Sequence, residues 1–127
     1  MSGAPTQNLG SDRVLVVEDE ALIGLMLADV LEEFGAAVVG PASNVAEALR
    51  LVEQGGLSLA LLDLSLGGEE VYPVADRLAA LGVPFAFITG YGQGYLAARH
   101  VDTPLLTKPF GASQLGGLLV KLGWAAS

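Results

Sequence analysis

Five polar side chains stand where short apolar runs of the sequence end. Glu18 and Asp19 follow VLVV, Asp63 follows LALL, Thr89 follows FAFI and Lys108 follows LLT. If these runs are parallel strands of one sheet, their carboxyl ends lie together, at the edge where open α/β sheets bind ligands. The carboxylates, the hydroxyl and the ammonium would then share one pocket. Such a set suits phosphoryl transfer, which depends on positioning and on charge neutralisation.

The carboxylates of this pocket point to a bound cation. Glu18, Asp19 and Asp63 would repel one another, and a divalent ion would remove that repulsion. Oxygen ligands without His or Cys favour Mg²⁺, and Mn²⁺ accepts the same ligands. A phosphoryl group would lie between the metal and Lys108, with the Thr89 hydroxyl as a further donor. Asp63 is the candidate nucleophile, because carboxylates can form acyl phosphates.

Alternating strands and helices would position these residues. The predicted strands cover residues 14–17, 36–40, 57–62, 85–88 and 105–107. The predicted helices cover residues 20–34, 45–54, 70–81 and 111–122. A repeat of this kind specifies a parallel sheet with helices on both faces. The predicted fold is therefore α/β, with a doubly wound sheet of five parallel strands.

Local signals mark several ends of these elements. Pro41 is expected to close the second strand, and Asn44 to cap the second helix, with Glu47 three residues later as in a capping box. The periodicity of the third helix places Leu81 on its buried side. Glu20 is interpreted as a helix start, because acidic side chains favour the positive N-terminus of a helix.

The segment over residues 90–103, GYGQGYLAARHVDT, is the least regular part of the sequence. Each glycine disfavours a helix by about 1 kcal/mol relative to alanine, so we expect an irregular or short fourth helix. Tyr91 and Tyr95 flank the glycines and are candidates for a partner-facing surface. His100 is interpreted as a surface residue, because no second histidine is present to form a metal site with it.

The composition of the chain limits its function class. Its 127 residues predict one domain over residues 12–122, a flexible arm over 1–11 and a tail over 123–127. A net charge of −8 disfavours nucleic-acid binding. We find no apolar stretch long enough to span a membrane and no secretory signal. The absence of cysteine is typical of a cytoplasmic protein.

Four motifs in order resemble the receiver domain of bacterial two-component response regulators. They are VLVVEDE, LLDLSL, ITG and TKPF, each at a predicted strand end, and the resemblance covers residues 12–122. It implies the flavodoxin-like (βα)5 fold. It also implies that Asp63 accepts a phosphoryl group from the phosphohistidine of a sensor histidine kinase.

The resemblance assigns roles to the pocket residues. It implies Mg²⁺ bound by Asp19, by Asp63 and by the backbone carbonyl of Ser65, with Glu18 acting through water. The same resemblance places Thr89 and Lys108 on the phosphoryl oxygens, and it implies a cis peptide bond between Lys108 and Pro109.

The sequence departs from the common receiver pattern at two places. Many receivers have an aromatic residue where this chain has Leu105, and leucine cannot relay phosphorylation in the same way. The segment PFAFITGYG resembles instead the FATGUY subgroup of receivers. These are commonly single-domain proteins, often paired with HWE-type kinases, and in them the element after the fourth strand is often irregular.

The leading hypothesis is therefore a stand-alone, monomeric phospho-acceptor that turns over no separate substrate. Its output would be contact with a downstream target protein, or competition for phosphoryl groups as a phosphate sink. One alternative is a Mg²⁺-dependent phosphatase of the haloacid dehalogenase type, but that family typically has a second Asp where this chain has Ser65. Another is a degenerate receiver that acts only as a binding module, against which Asp63, Thr89 and Lys108 argue.

Overall fold

The structure is a computed structural model, and it describes residues 12–90 and 96–124 of the chain. The strands are β1 (Arg13–Val17), β2 (Ala37–Ala42), β3 (Leu59–Asp63), β4 (Ser65–Leu66), β5 (Glu69–Glu70), β6 (Phe85–Thr89) and β7 (Leu105–Thr107). The helices are α1 (Ala21–Glu33), α2 (Val45–Glu53), α3 (Tyr72–Ala80) and α4 (Ala112–Lys121). The predicted arm over residues 1–11, the predicted surface at Tyr91 and Tyr95, and residues 125–127 of the predicted tail lie outside the described residues.

Five of the strands form one parallel sheet in the order β2-β1-β3-β6-β7. The central strand β3 is buried along its whole length, as expected for a strand covered on both faces. Helices α1 and α4 pack on one face, and α2 and α3 pack on the other. The prediction of a doubly wound, five-stranded α/β sheet is confirmed.

Each face of the sheet has an apolar core of its own. Leu31 of α1 and Leu119 of α4 lie on one face, and Leu78 of α3 on the other, each fully buried. Burial of a leucine side chain contributes about 1.5–3 kcal/mol, so these layers fix the helices against the sheet. The first core extends to Trp124, whose indole Nε1 donates a 2.7 Å hydrogen bond to Asp12.

Strand β2 does not end at Pro41, as the sequence predicted, but continues through it to Ala42. Pro41 is tolerated because β2 is an edge strand, where a missing N–H costs little. The pairing with β1 shifts register here, and a Cβ at Gly40 would lie 2.8 Å from the carbonyl oxygen of Val16. The shift lets the amide of Glu18 donate to the carbonyl of Ala42, which ties the end of β1 to β2.

The helix ends agree in part with the prediction. Asn44 caps α2, its side chain accepting a hydrogen bond from the amide of Glu47, as predicted. Helix α3 begins later than expected, because β4 and β5 form a short antiparallel hairpin first. Gly67 and Gly68 both have positive φ, as a two-residue hairpin turn requires. Leu81 was predicted to be buried, but it follows α3 and is 47% exposed.

The segment between β6 and β7 contains no full helix within its described residues. Ala98–His100 form one turn of 3-10 helix, in agreement with the predicted irregular or short fourth helix. The interpretation of His100 as a surface residue is wrong, because it is 6% exposed and packs among aromatic rings. Among residues 12–90 and 96–124, no helix has the length and apolar character needed to cross a membrane.

Candidate functional site

The predicted site residues meet at the carboxyl edge of the sheet, where backbone hydrogen bonds hold the strand ends together. Asp63 pairs with Ile88 in the β3–β6 register, which sets it beside Thr89. The amide of Lys108 donates a 2.8 Å hydrogen bond to the carbonyl of Thr89, which fixes the lysine directly after β7. The peptide bond between Lys108 and Pro109 is cis, so that prediction is confirmed.

Asp63 is held in place from two sides. It is 4% exposed, and its Oδ1 accepts a 3.1 Å hydrogen bond from the amide of Ser65. Its Oδ2 lies 3.3 Å from the Nζ of Lys108. Both carboxylate oxygens are therefore oriented, and Asp63 lines a cavity of about 390 Å³ together with Thr89.

Lys108 meets three carboxylates at once. Its Nζ lies 3.0 Å from Glu20 Oε1 and 3.2 Å from Glu18 Oε1, in addition to its contact with Asp63. Burial lowers the pKa of Lys108, but the hydrogen bond that its ammonium donates to Glu20 and the charges of Asp63 and Glu18 more than offset that effect. The pKa therefore lies above its usual value, and the ammonium stays protonated.

Glu18 is the most deeply buried of these carboxylates, with a side chain that is 0% exposed. Its Oε2 accepts a hydrogen bond from the amide of Glu20, whereas its Oε1 has no hydrogen-bond donor in ideal geometry, although the Lys108 ammonium is close. Burial, followed by the hydrogen bond and the charge of the nearby Asp63, raises the pKa of Glu18 to about 7, although the Glu20 amide and the charge of Lys108 act to lower it. A buried carboxylate oxygen without a donor is suited to an additional cation or its water.

Glu20 belongs to this site, and its interpretation as only a helix start missed that. It precedes α1 but makes no side-chain capping bond, and its carboxylate lies within 4.8 Å of those of Glu18 and Asp63. Residues 19 and 20 form a bend after β1, and this bend brings the Glu20 carboxylate beside that of Glu18 at the Lys108 ammonium.

Asp19 lies on the other side of the cavity. Its side chain lines the cavity but is exposed, and a Cβ at Gly67 would lie 3.4 Å from its Oδ2. Asp19, Asp63, Ser65, Thr89 and Lys108 thus line one cavity, and Glu18 joins them through its ion pair with Lys108. The candidate ligand atoms of these residues are all oxygens, with no His or Cys among them. Their negative charge exceeds the single positive charge of Lys108, so the set fits a hard divalent cation.

Comparison with known proteins decides the family. The family model of the response regulator receiver domain matches residues 14–119. This chain belongs to the receiver domain family of response regulators. The transcriptional regulatory protein PdtaR of Mycobacterium tuberculosis is 35% identical over 107 residues, which cover 81% of this chain and 52% of PdtaR. The receiver spans about half the length of the curated relatives it matches.

Solved receivers have the same fold. The solution structure of SdrG from Sphingomonas melonis Fr1 has 43% identity and a TM-score of 0.81, and the match covers 89% of this receiver and 97% of that chain. The BeF3-activated conformation of SdrG, from Pseudomonas melonis Fr1, matches with 43% identity and a TM-score of 0.76, over 87% of this receiver and 94% of that chain. PdtaR is a regulatory protein by name, in agreement with the expectation that this receiver is not a classical enzyme.

Proposed function

We propose that this receiver accepts a phosphoryl group on Asp63, in a Mg²⁺-dependent reaction with a sensor histidine kinase, and signals as a stand-alone protein. The observation that carries the proposal is the contact between Asp63 and Lys108 inside a cavity with surplus carboxylates. A buried acid held beside a lysine at a strand end has the charge and orientation that an acceptor needs. The resemblance of the sequence motifs to receivers supports the same assignment.

In this proposal each side chain has one role in the transfer. A carboxylate oxygen of Asp63 forms a bond to phosphorus while the bond from phosphorus to the imidazole nitrogen of the kinase's phosphohistidine breaks. The electron pair of the broken bond stays on the imidazole, which takes up a proton. Lys108 and Thr89 lie at the rim and interact with the phosphoryl oxygens, which spreads the negative charge of the transition state.

Asp19, Asp63 and the backbone carbonyl of Ser65 would hold Mg²⁺, with Glu18 acting through water. Mn²⁺ would bind the same oxygen ligands. A divalent ion at this position supplies positive charge that neutralises the phosphoryl oxygens. The buried Oε1 of Glu18 supports the assignment, because it has an ion pair with Lys108 but accepts no hydrogen bond, and a metal-bound water would supply one.

A phosphorylation assay tests this proposal. The protein is incubated with Mg²⁺ and a small-molecule phosphodonor, and its intact mass is measured. We expect a gain of one phosphoryl group in the wild type and in the surface control Asp29→Asn, and none in Asp63→Asn. An unchanged wild-type mass, or equal labelling of Asp63→Asn, would show that Asp63 is not the acceptor.

The kinase and the downstream target would be protein partners that reach Asp63 from the side of α1. Leu22, Leu25 and Met26 on α1 are 77%, 58% and 51% exposed. A groove of about 480 Å³ beside Lys108 continues this surface and includes Ile23. Apolar side chains of this kind are typical of protein contact sites when they lie together. Phosphotransfer from each histidine kinase of the host, HWE-type kinases included, would identify the cognate partner.

Two outputs agree with a receiver of this kind. As an adaptor it would bind a target differently after phosphorylation, and as a phosphate sink it would draw phosphoryl groups from a kinase that serves another regulator. A pull-down with phosphorylated and unphosphorylated protein separates them, because an adaptor retains a target only in one state. Turnover of small phosphate esters is disfavoured, because a serine, Ser65, stands where a phosphatase of the haloacid dehalogenase type would have its acid.

A further inference from the structure

A second cluster of polar and aromatic side chains joins α3 to the segment before β7. We call it the α3 lock and define it by Tyr72, Asp76, Arg99 and His100. The rings of Tyr72 and His100 stack, with centroids 5.5 Å apart and planes inclined by 6°. The hydroxyl of Tyr72 accepts a 2.9 Å hydrogen bond from the amide of Ala97. The lock therefore fastens residues 97–100 to the first turn of α3.

Asp76 is the polar centre of the lock. Arg99 donates to both of its carboxylate oxygens at 2.9 Å, and the Nε2 of His100 lies 2.9 Å from its Oδ1. The Arg99 guanidinium also lies over the ring of Tyr72, 5.4 Å from its centroid. An exposed ion pair alone contributes little, but here the same carboxylate also partners a histidine that is 6% exposed. Removing the carboxylate would leave a buried ring nitrogen without that partner.

Phe87 connects the lock to the phosphoryl site. It is fully buried in β6. Its ring centroid lies 5.9 Å from that of Tyr72 and 5.6 Å from that of His100, and both contacts are edge to face. Phe87 and Thr89 are two residues apart in the same strand, so their side chains point to the same face of the sheet. A shift of Thr89 towards a phosphoryl group on Asp63 would move the end of β6, and closely packed rings would transmit that movement.

We propose that the α3 lock is the switch element of this receiver, and that phosphorylation of Asp63 loosens it through Phe87. This inference rests on the proposed phosphorylation of Asp63. It gives the protein a route for its output without an aromatic residue at Leu105, which itself packs in the same core as Phe87. The surface that changes is formed by α3 and residues 96–102.

Thermodynamic linkage makes the proposal testable from both ends. If phosphorylation loosens the lock, then a mutation that loosens the lock raises the population of the conformation that the phosphoryl group favours, and a phosphoryl analogue should bind more tightly. Asp76→Ala removes the polar centre at an exposed helical position, where alanine is well tolerated. Glu53→Ala is the matched control. Glu53 accepts two hydrogen bonds from Arg77, the residue after Asp76 in α3, and this pair is not part of the lock.

The experiment measures the dissociation constant for beryllium fluoride, as a phosphoryl analogue, in the presence of Mg²⁺ by NMR titration. We expect Asp76→Ala to bind it about fivefold or more tightly than the wild type, at the lower end of known allosteric couplings. Glu53→Ala should bind like the wild type. Amide exchange at Ala97 should be faster in Asp76→Ala, and faster in the wild type once beryllium fluoride is bound.

Each contrary outcome has a definite meaning. Equal or weaker binding by Asp76→Ala overturns the proposal, and so does the same gain in Glu53→Ala. Unchanged exchange at Ala97 on binding also overturns it, and this result leaves the proposed phosphorylation of Asp63 intact. If the wild type neither binds beryllium fluoride nor gains a phosphoryl group, the proposed function itself fails. Tyr72→Phe is a second variant, which removes only the hydroxyl bonded to Ala97 and should speed exchange there without a loss of core volume.

Discussion

The phosphoryl pocket and the α3 lock are opposite arrangements of charge. In the pocket one ammonium, that of Lys108, meets three carboxylates, and one buried carboxylate oxygen has no hydrogen-bond donor. In the lock one carboxylate, that of Asp76, meets the guanidinium of Arg99 and the imidazole of His100. The pocket therefore has more acceptors than donors, whereas every side chain of the lock is paired with another lock side chain.

This difference indicates that the pocket is a ligand-binding site and that the lock is a structural contact. Surplus negative charge costs stability, and proteins keep such arrangements where a ligand compensates them. The lock gathers stacked rings and paired charges, which stabilise one position of a short segment. We therefore expect the stability of the folded protein to depend strongly on the cations of the pocket. We expect it to depend only weakly on the lock, and that dependence to appear in acid.

Loss of the lysine should have the largest effect on stability. Lys108→Ala leaves Asp63, Glu18 and Glu20 without their shared cation, two of them buried. Breaking a buried charged contact from one side typically costs about 3–5 kcal/mol. Because Glu20 is exposed, we expect the lower end of this range, a decrease of about 3 kcal/mol in the free energy of unfolding. Urea unfolding without divalent ions measures it. The control Lys121→Ala should change stability by less than about 0.5 kcal/mol, and an equal loss in the two variants would contradict the comparison.

Adding Mg²⁺ should have the next largest effect on stability. The same measurement shows which of Asp19 and Glu20 is a ligand of the ion. A ligand at ten times its dissociation constant stabilises the folded state by about 1.4 kcal/mol. We expect this gain in the wild type and in Asp76→Ala, because the lock is not part of the pocket. Asp19→Asn should lose most of the gain, whereas Glu20→Gln should keep it. Thermal unfolding with and without Mg²⁺ measures this, and the reverse pattern would assign the ion to the cluster of Glu18, Glu20 and Asp63.

The strand-end residues were predictable from the sequence, because a parallel sheet aligns its carboxyl ends whatever the details of packing. Asp63 and Lys108 are 45 residues apart, yet alternation alone placed them together. His100 was not predictable, since its burial depends on rings from β6 and α3 that no local pattern connects to it. Pro41 also misled the prediction, because only the sheet order shows that β2 is an edge strand.

The smallest expected effect is the response of the lock to acid. The hydrogen bonds from Arg99 hold the pKa of Asp76 at about 2, below its usual value, and His100 adds to this. A carboxyl group with a lowered pKa in the folded state stabilises the protein above its unfolded pKa of about 3.9, and that contribution disappears as the pH falls towards 2. Asp76→Asn should therefore unfold with a shallower dependence on pH between 4 and 2 than the wild type, and Asp29→Asn should not. Identical slopes in Asp76→Asn and the wild type would mean that the charge of Asp76 does not stabilise the lock, and that the stacked rings hold it alone.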